Sequence, residues 1–403
     1  MTITALQRDI VRSCVPALRE HGESLTRNFY ARMFSANPAL KHIFNMSHQA
    51  TGTQQKALAM AVLAYAEHID DPSLLTPVLN VIVAKHVSMG IRAEHYPIVG
   101  RHLLDAIAEV MGEAATPALI DAWAVAYAQL ASLLIDAEQA LYSQAATSPG
   151  GWSGWRPFHI IRTVRESSEI TSFYLVPTDG GALPSFRPGQ FVSVHTMDAE
   201  GMTQIRQYSL SDAPHNGHFR LTVKREDAHR SCPGGKVSTQ LHREFHQGDV
   251  LELSFPQGNF TVDESRDTPL VMLSGGVGIT PMLGMLGHVV KKQPSRPVYF
   301  YHAARNRQVQ AMGDWLRGLA SNHQALDLGI YYEQVDTPDV VGTNYDRQGR
   351  IDASEFAAKS ELAEADYYVC GPRAFMTAQI ESLKATGVPE TRIHAEFFGA
   401  SLD

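Results

Sequence analysis

The chain reads as a multi-domain protein in three parts: an all-α region over residues 1–147, an antiparallel β-barrel over 157–265, and an α/β region with a parallel sheet over 266–403. Three observations lead there. Apolar residues recur at helical spacing through about the first third of the chain, short runs alternate as strands do from Pro157, and apolar strand runs interleave with helical ones from Pro269. A length of 403 residues fits this division, since one domain takes about 150 residues. The first break is marked by Ser148-Pro149-Gly150-Gly151-Trp152-Ser153-Gly154-Trp155, inside a linker placed at 148–156. Its glycines and its proline end helices, and its two Trp residues suit an anchored connection rather than a loose tether.

In the helical region, Ile82, Val83, His86 and Met89 share one face, as do Leu103, Leu104, Ile107 and Val110. Pro38, Pro72, Pro97 and Pro117 fall where helices begin or break. The apolar stretch Ala122 to Ala137 is interrupted by Gln129, Ser132 and Asp136, and reads as a buried helix. In the second region Phe191, Ser193 and His195 alternate with Val192 and Val194. Phe219, Leu221 and Val223 likewise oppose Arg220, Thr222 and Lys224. Turns are expected at Asp179-Gly180-Gly181, Arg187-Pro188-Gly189 and His215-Asn216-Gly217. In the third region the strands are Leu270 to Ser274, Val298 to His302 and Tyr367 to Cys370, with helices from Pro281 and near Met312 to Leu319.

Composition narrows the function. A net charge of -8 without a long Lys/Arg run argues against nucleic acid or an anionic membrane as partner, leaving small molecules. Cys14, Cys232 and Cys370 are isolated, so no disulfide framework, zinc site or iron–sulfur site is expected. With no apolar signal core in Met1 to Ile10, a reducing, cytoplasmic setting and no stable membrane anchor are expected.

Several segments carry chemistry. Arg206-Gln207-Tyr208-Ser209 offers a planar guanidinium fork for a phosphate beside an aromatic ring. Gly235-Lys236-Val237-Ser238 follows about 30 residues further on. The loop Gly276-Val277-Gly278-Ile279-Thr280-Pro281 links a buried strand to a helix, with Thr280 as its expected cap and Pro281 in its first turn. It lacks the third glycine of the full dinucleotide fingerprint, and Cys370-Gly371-Pro372 follows a second buried strand. Arg305 is placed to touch an adenosine phosphate. No acidic residue directly follows its strand, which leaves NADH and NADPH both open.

The Arg-x-Tyr-Ser, Gly-Lys-Val-Ser and Cys-Gly-Pro segments resemble the ferredoxin-NADP reductase family. That resemblance implies FAD on Arg206, Gln207, Tyr208, Ser209 and on Gly235, Lys236, Val237 and Ser238. It implies NAD(P)H on Gly276, Val277, Gly278, Ile279, Thr280, Pro281, Arg305, Cys370, Gly371 and Pro372. The first region resembles a bacterial globin through Phe29-Tyr30, Phe44, Gln54, Leu58 and Lys85-His86. It implies haem held by His86, with Phe29, Phe44 and Leu58 in the pocket and Tyr30 as the donor toward bound O2. Gln54 suits either a ligand contact or an exposed helix position. Tyr96 and Glu138 match the family's proximal pair, a carboxylate linked through Tyr to the His N–H.

The whole chain resembles the flavohaemoglobins. The resemblance places Phe191, Phe397, Phe398, Gly399 and Ala400 at the flavin, and makes Lys85 and Glu396 the residues tuning charge between the cofactors. Two residues depart from the family pattern: Phe191 stands where Tyr is usual, removing a hydroxyl worth about 1 kcal/mol, and Ala400 stands where Pro is common. The implied activity is a nitric oxide dioxygenase, which turns NO and O2 into nitrate as electrons pass from NAD(P)H through FAD to haem, with no separate reductase. A haem-linked alkylhydroperoxide or general haem reductase and a haem-based oxygen or redox sensor are the alternatives.

Overall fold

Helix α1 (Ala5–Ser13) begins with a reciprocal cap, in which Thr4 and Gln7 each bond the other's backbone N–H. In this computed structural model the described residues are 3–44, 49, 52–228 and 234–399. Cys232 and Ala400, both singled out in the sequence, lie outside them. Contacts divide the chain into two compact units. One comprises Met1–Trp155, Ser193–Arg206 and Gly399–Asp403; the other comprises Arg156–Val192 and Gln207–Phe398.

In the first unit α1 is followed by α2 (Val15–Ala36), α3 (Thr53–Glu67), α4 (Thr76–Met89), α5 (His95–Met111) and α6 (Pro117–Thr147). Pro38 and Pro72 open short 3-10 turns, Pro117 opens α6, and Pro97 lies in the first turn of α5, where a missing N–H costs nothing. The core gathers Phe29 and Met33 of α2, Ile107 of α5, and Trp123 and Ala126 of α6. Gly90, at φ 79°, stops α4: its N–H reaches Val87 O, and Ile91 N–H returns to His86 O at 3.0 Å. His86 is thereby set in the last turn of a firmly ended helix. Helix α6 is long and apolar enough to cross a membrane by length and composition. It packs on α1, α4 and α5, burying Leu119, Trp123, Leu134 and Glu138, while Leu133 is exposed, so one face of the stretch and not the whole of it lies in the core.

Two six-stranded sheets are formed among the described residues. The first has the order β4-β3-β6-β1-β2-β5. Its strands are β1 (Arg156–Arg165), β2 (Ile170–Pro177), β3 (Phe191–Met197), β4 (Thr203–Ser209), β5 (Phe219–Lys224) and β6 (Val250–Leu253), with α7 (Lys236–Glu244) before the last. Strand β1 is antiparallel to β2 and β6, and β2 to β5. An antiparallel bridge from Leu210 to Leu221 draws the segment after β4 toward β5, bending the sheet toward the expected barrel. Both faces of β5 are buried, so its polar residues are not the solvent side that alternation suggests. Thr222 lies in a buried hydroxyl cluster, 2.8 Å from both Ser172 and Ser211.

The second sheet has the order β10-β9-β8-β7-β11-β12, and its pairings are parallel. It runs through β7 (Leu270–Gly275), α8 (Ile279–Lys292), β8 (Val298–Ala304), α9 (Gly313–Asn322), β9 (Leu326–Tyr332), β10 (Arg347–Gln348), α10 (Ser354–Ala357), β11 (Asp366–Cys370), α11 (Arg373–Ala385) and β12 (Ile393–Glu396). Strand β9 and helix α11 are elements the sequence patterns did not delimit. Helix α8 starts at Ile279 rather than Pro281, after a 3-10 turn over Gly276–Gly278. Thr280 therefore lies inside the helix, donating back to Val277 O at 3.0 Å, and does not cap it.

A Cβ on Gly278 would stand 2.3 Å from Cys370 O and 2.5 Å from Gly371 N, both backbone atoms. Gly278→Ala should therefore destabilise the second unit by about 1–3 kcal/mol in calorimetry, and wild-type stability would contradict this contact. His302 is buried against Ser274, Nδ1 to Oγ 2.9 Å, and burial lowers its pKa to about 4. The unfolded chain binds that proton below about pH 6.5 and the folded chain only near pH 4. Stability should thus fall by up to about 3 kcal/mol as pH drops through that window. His302→Asn should flatten the slope of a denaturation series across it, and an unchanged slope would refute the assignment.

Candidate functional site

His86 projects from the last turn of α4, and its ring is held from behind. Nδ1 donates to Glu138 Oε1 of α6 at 2.8 Å and lies 3.2 Å from the Tyr96 hydroxyl of α5. Tyr96 donates to the same carboxylate oxygen at 2.5 Å. Glu138 is 2% exposed, and a polar group this deep needs such donors in place of its lost hydration. Burial and the Glu138 charge both push the Tyr96 pKa upward, keeping the phenol protonated as a donor. The expected link ran from the carboxylate to His86 through Tyr96. In the structure Glu138 reaches the imidazole directly, because α6 passes behind α4, and Tyr96 braces the carboxylate. Two tyrosines not singled out in the sequence complete the support. Tyr127 donates to Tyr96 O at 2.7 Å, and Tyr142 donates to Ile91 O at 2.6 Å, fixing the end of α4. With Nδ1 engaged, Nε2 is the imidazole nitrogen available to a metal.

Tyr30 of α2 is 6% exposed and framed by aromatic rings, edge-on to Phe29 and Phe44 and stacked on Phe34. Burial raises its pKa, while hydrogen bonds from Gln49 and Gln54 pull the other way. Gln54 is half-buried, not the exposed helix residue that was its alternative. Its Oε1 accepts from Gln49 Nε2 at 3.0 Å, and Gln49 in turn accepts from Gln55. Gln49 and Gln55 were missed in the sequence, since amides without periodic spacing give no signal of their own. Ile43, Phe44, Leu58 and Leu79 are half-buried apolar side chains at the edge of the core. Such a surface, with an imidazole nitrogen to spare, fits a flat apolar metal-bearing group such as haem.

In the other candidate sites, Arg206, Gln207 and Tyr208 lie half-buried along β4 and Ser209 is buried at its end. The Arg206 guanidinium donates to Ile205 O at 2.8 Å, which holds its fork in place. Gly235 precedes α7, whose first residue is Lys236. Ser238 Oγ accepts from Glu226 N at 3.2 Å, so the helix start is tied to the segment after β5 and its N–H groups are set for an anion. Phe191 pairs with Gln257 through two backbone bonds of 2.8 Å, its ring lying over Gly258, where a Cβ would come within 3.0 Å.

At the end of the parallel sheet the two glycine segments lock together. Gly276 takes a left-handed φ of 52°, and Gly278 packs on Cys370 and Gly371. Val277 is half-buried, Pro372 is exposed and precedes α11, and Pro281 is buried within α8. Register aligns Ser274 with His302 and Cys370, and Cys370 with Glu396. Burial and the Glu396 charge keep the Cys370 thiol protonated. Arg305 is exposed and ion-paired with Glu169, so a phosphate there would compete with a carboxylate. Phe397 packs on the core of the second unit and Phe398 is exposed. In the first unit Lys85 donates to Gly399 O at 2.6 Å.

Comparison with known proteins agrees with this layout. The Globin family model matches residues 27–134, and that of the Oxidoreductase NAD-binding domain matches 272–381. The flavohaemoprotein of Chromobacterium violaceum is 54% identical over 394 residues, covering 98% of this chain and 97% of the relative. That of Rhizobium meliloti is 47% identical, covering 99% of both. Among solved structures, the flavohaemoglobin of Malassezia yamatoensis with bound FAD and haem superposes with a TM-score of 0.86 at 25% identity, covering 98% of this chain and 100% of that one. The FAD/NAD-binding domain of a nitric oxide dioxygenase from Vibrio cholerae is 33% identical, with a TM-score of 0.54 over 60% of this chain and 98% of that one. The matched helices around His86 and the parallel sheet behind Gly276 and Cys370 thus belong to one lineage, and the chain is a member of the flavohaemoprotein family.

Proposed function

We propose that the chain is an NAD(P)H-dependent nitric oxide dioxygenase that converts NO and O2 to nitrate. The observation that carries the reading is the pairing, in one helical unit, of an imidazole anchored by a buried carboxylate with a buried tyrosine hydroxyl bonded to two amides. It rests also on the kinship with flavohaemoproteins and on the likeness to a reductase domain of a nitric oxide dioxygenase. Residues 1–147 would hold haem, 157–265 FAD, and 266–403 the nicotinamide, with 148–156 as linker. Haem and FAD would supply the chemistry the side chains lack: an iron centre for the diatomic gases, and a flavin that accepts hydride and passes electrons singly.

The chain's own residues hold, orient and polarise. His86 would ligate iron through Nε2 while Glu138 accepts the Nδ1–H hydrogen bond, which makes the imidazole a stronger donor and favours oxygen chemistry over reversible storage. Tyr96 keeps that carboxylate in place. Tyr30, protonated because burial disfavours the phenolate, offers its O–H to the ligand side, with Phe29, Phe44 and Leu58 excluding water around it. Arg206 would meet a flavin phosphate, with Gln207, Tyr208, Ser209 and Phe191 beside the ring system and Gly235 to Ser238 at the pyrophosphate. The Gly276 to Pro281 turn and Cys370-Gly371-Pro372 would receive the nicotinamide nucleotide.

The reaction is tested by nitrate yield. Tyr30→Phe should slow nitrate formation about tenfold or more while flavin-dependent cytochrome c reduction persists; equal nitrate yields would remove Tyr30 from the role given it. The proximal trio is tested by urea denaturation of the haem-loaded chain. Glu138→Ala strands two donors and should cost on the order of 2–4 kcal/mol, whereas Tyr96→Phe should cost about 1 kcal/mol. Equal losses would contradict the direct Glu138 to His86 bond.

A further inference from the structure

The amides beside Tyr30 form a chain with a direction. Gln55 is 6% exposed and fastened at its backbone, where its carbonyl accepts from Thr26 Oγ1 at 2.8 Å. Its Nε2 donates to Gln49 Oε1 at 2.8 Å and to Gln49 O at 3.0 Å. That contact settles which end of the Gln49 amide faces inward. Gln49 Nε2 then donates to Gln54 Oε1 at 3.0 Å. The Gln54 oxygen faces Gln49, so its NH2 group is the end turned to the Tyr30 hydroxyl, and the hydrogen bonds from both glutamines favour the phenolate, as bonds donated to the phenol oxygen do. The hydroxyl oxygen is thus supplied with donors, and its own proton is left to point elsewhere.

We propose that Gln49 is a positioning residue which, by fixing the polarity of the Gln54 amide, makes Tyr30 a hydrogen-bond donor to the gas on the ligand side of His86. The proposal rests on the haem-binding reading given above. The pairing of Gln54 with Tyr30 alone would not ensure this outcome. An unconstrained Gln54 can rotate its amide, present Oε1 to the phenol, and draw the Tyr30 proton onto itself. The two arrangements leave the same residues in the same places and differ in which atom carries the donated proton. Gln49 excludes the second arrangement, because its Nε2 facing a Gln54 NH2 group would set donor against donor.

The discriminating substitution is Gln49→Glu, which keeps shape and length but cannot donate from its carboxylate. A carboxylate at this position would still accept from Gln55, and would turn Gln54 so that its NH2 faces the carboxylate and its Oε1 faces Tyr30. In the reduced, haem-loaded full chain, the rate of O2 release and the C–O stretching frequency of the carbon monoxide complex are measured without NO or NAD(P)H. Gln49→Glu should speed O2 release about five-fold, the equivalent of one net hydrogen bond, and move the C–O band toward that of Tyr30→Phe. In a Tyr30→Phe background the same substitution should change neither quantity, since no hydroxyl is left to orient. Gln49→Ala, which frees the Gln54 amide to take both orientations, should give two C–O bands. Wild-type release and a wild-type band in Gln49→Glu would overturn the proposal, as would an equal effect in the Tyr30→Phe background. Because neither readout involves NO, a failure to form nitrate would overturn the proposed reaction and leave this assignment standing.

Discussion

A carboxylate that is 2% exposed is the constraint around which the first unit is organised. An isolated charge in that position would cost many kcal/mol, so it is retained only with donors in place. Glu138 finds them in His86 Nδ1 and the Tyr96 hydroxyl, which come from two other helices. Satisfying one oxygen atom therefore ties α4, α5 and α6 at a common point. It also settles the imidazole tautomer, and with it the nitrogen left for a metal. Tyr127 and Tyr142 extend the support by bonding backbone carbonyls of the same helices and their ends, so the ring of His86 is set by a network rather than by its own rotamer preference.

The second unit meets a different requirement, close approach of backbone to backbone. Gly278 rests on Cys370 O and Gly371 N, where no side chain could fit, so the loop after β7 and the turn after β11 form one surface. The parallel register then lines His302, Ser274, Cys370 and Glu396 along the carboxyl ends of four neighbouring strands. Ligands of open α/β sheets bind at that end. Burial holds His302 neutral and Cys370 protonated, so this row presents little charge of its own apart from Glu396. The glycines, which look in the sequence like a phosphate loop alone, also serve the packing of one motif on the other.

Much of this was legible in the chain because the signals are local. A proline at a helix start, an Arg-x-Tyr-Ser strand, a glycine pair after an apolar run and a histidine in an apolar helical stripe all act through neighbours a few residues away. What was misread or missed depends on partners distant in sequence. Alternation along β5 marked a strand correctly, yet its polar side is buried because Ser172 and Ser211 come to meet Thr222. Thr280 has the character of a cap, but the preceding glycines wind into a 3-10 turn and the helix starts ahead of it, at Ile279. Gln49 and Gln55 have no pattern to betray them, since an amide gains a role only from what faces it.

Residue chemistry and order along the chain thus determined the sequence of helical, antiparallel and parallel parts, the His, Tyr and Glu available near one another, and the segments suited to phosphates. Those are properties of types and spacings, which the polypeptide carries before it folds. Tertiary structure alone decided that Glu138 bonds His86 directly, that Arg305 is engaged by Glu169, and that the amides beside Tyr30 point one way. Each is a matter of which atom meets which across a gap of about 3 Å, and a hydrogen bond has a donor and an acceptor only once both ends are in place.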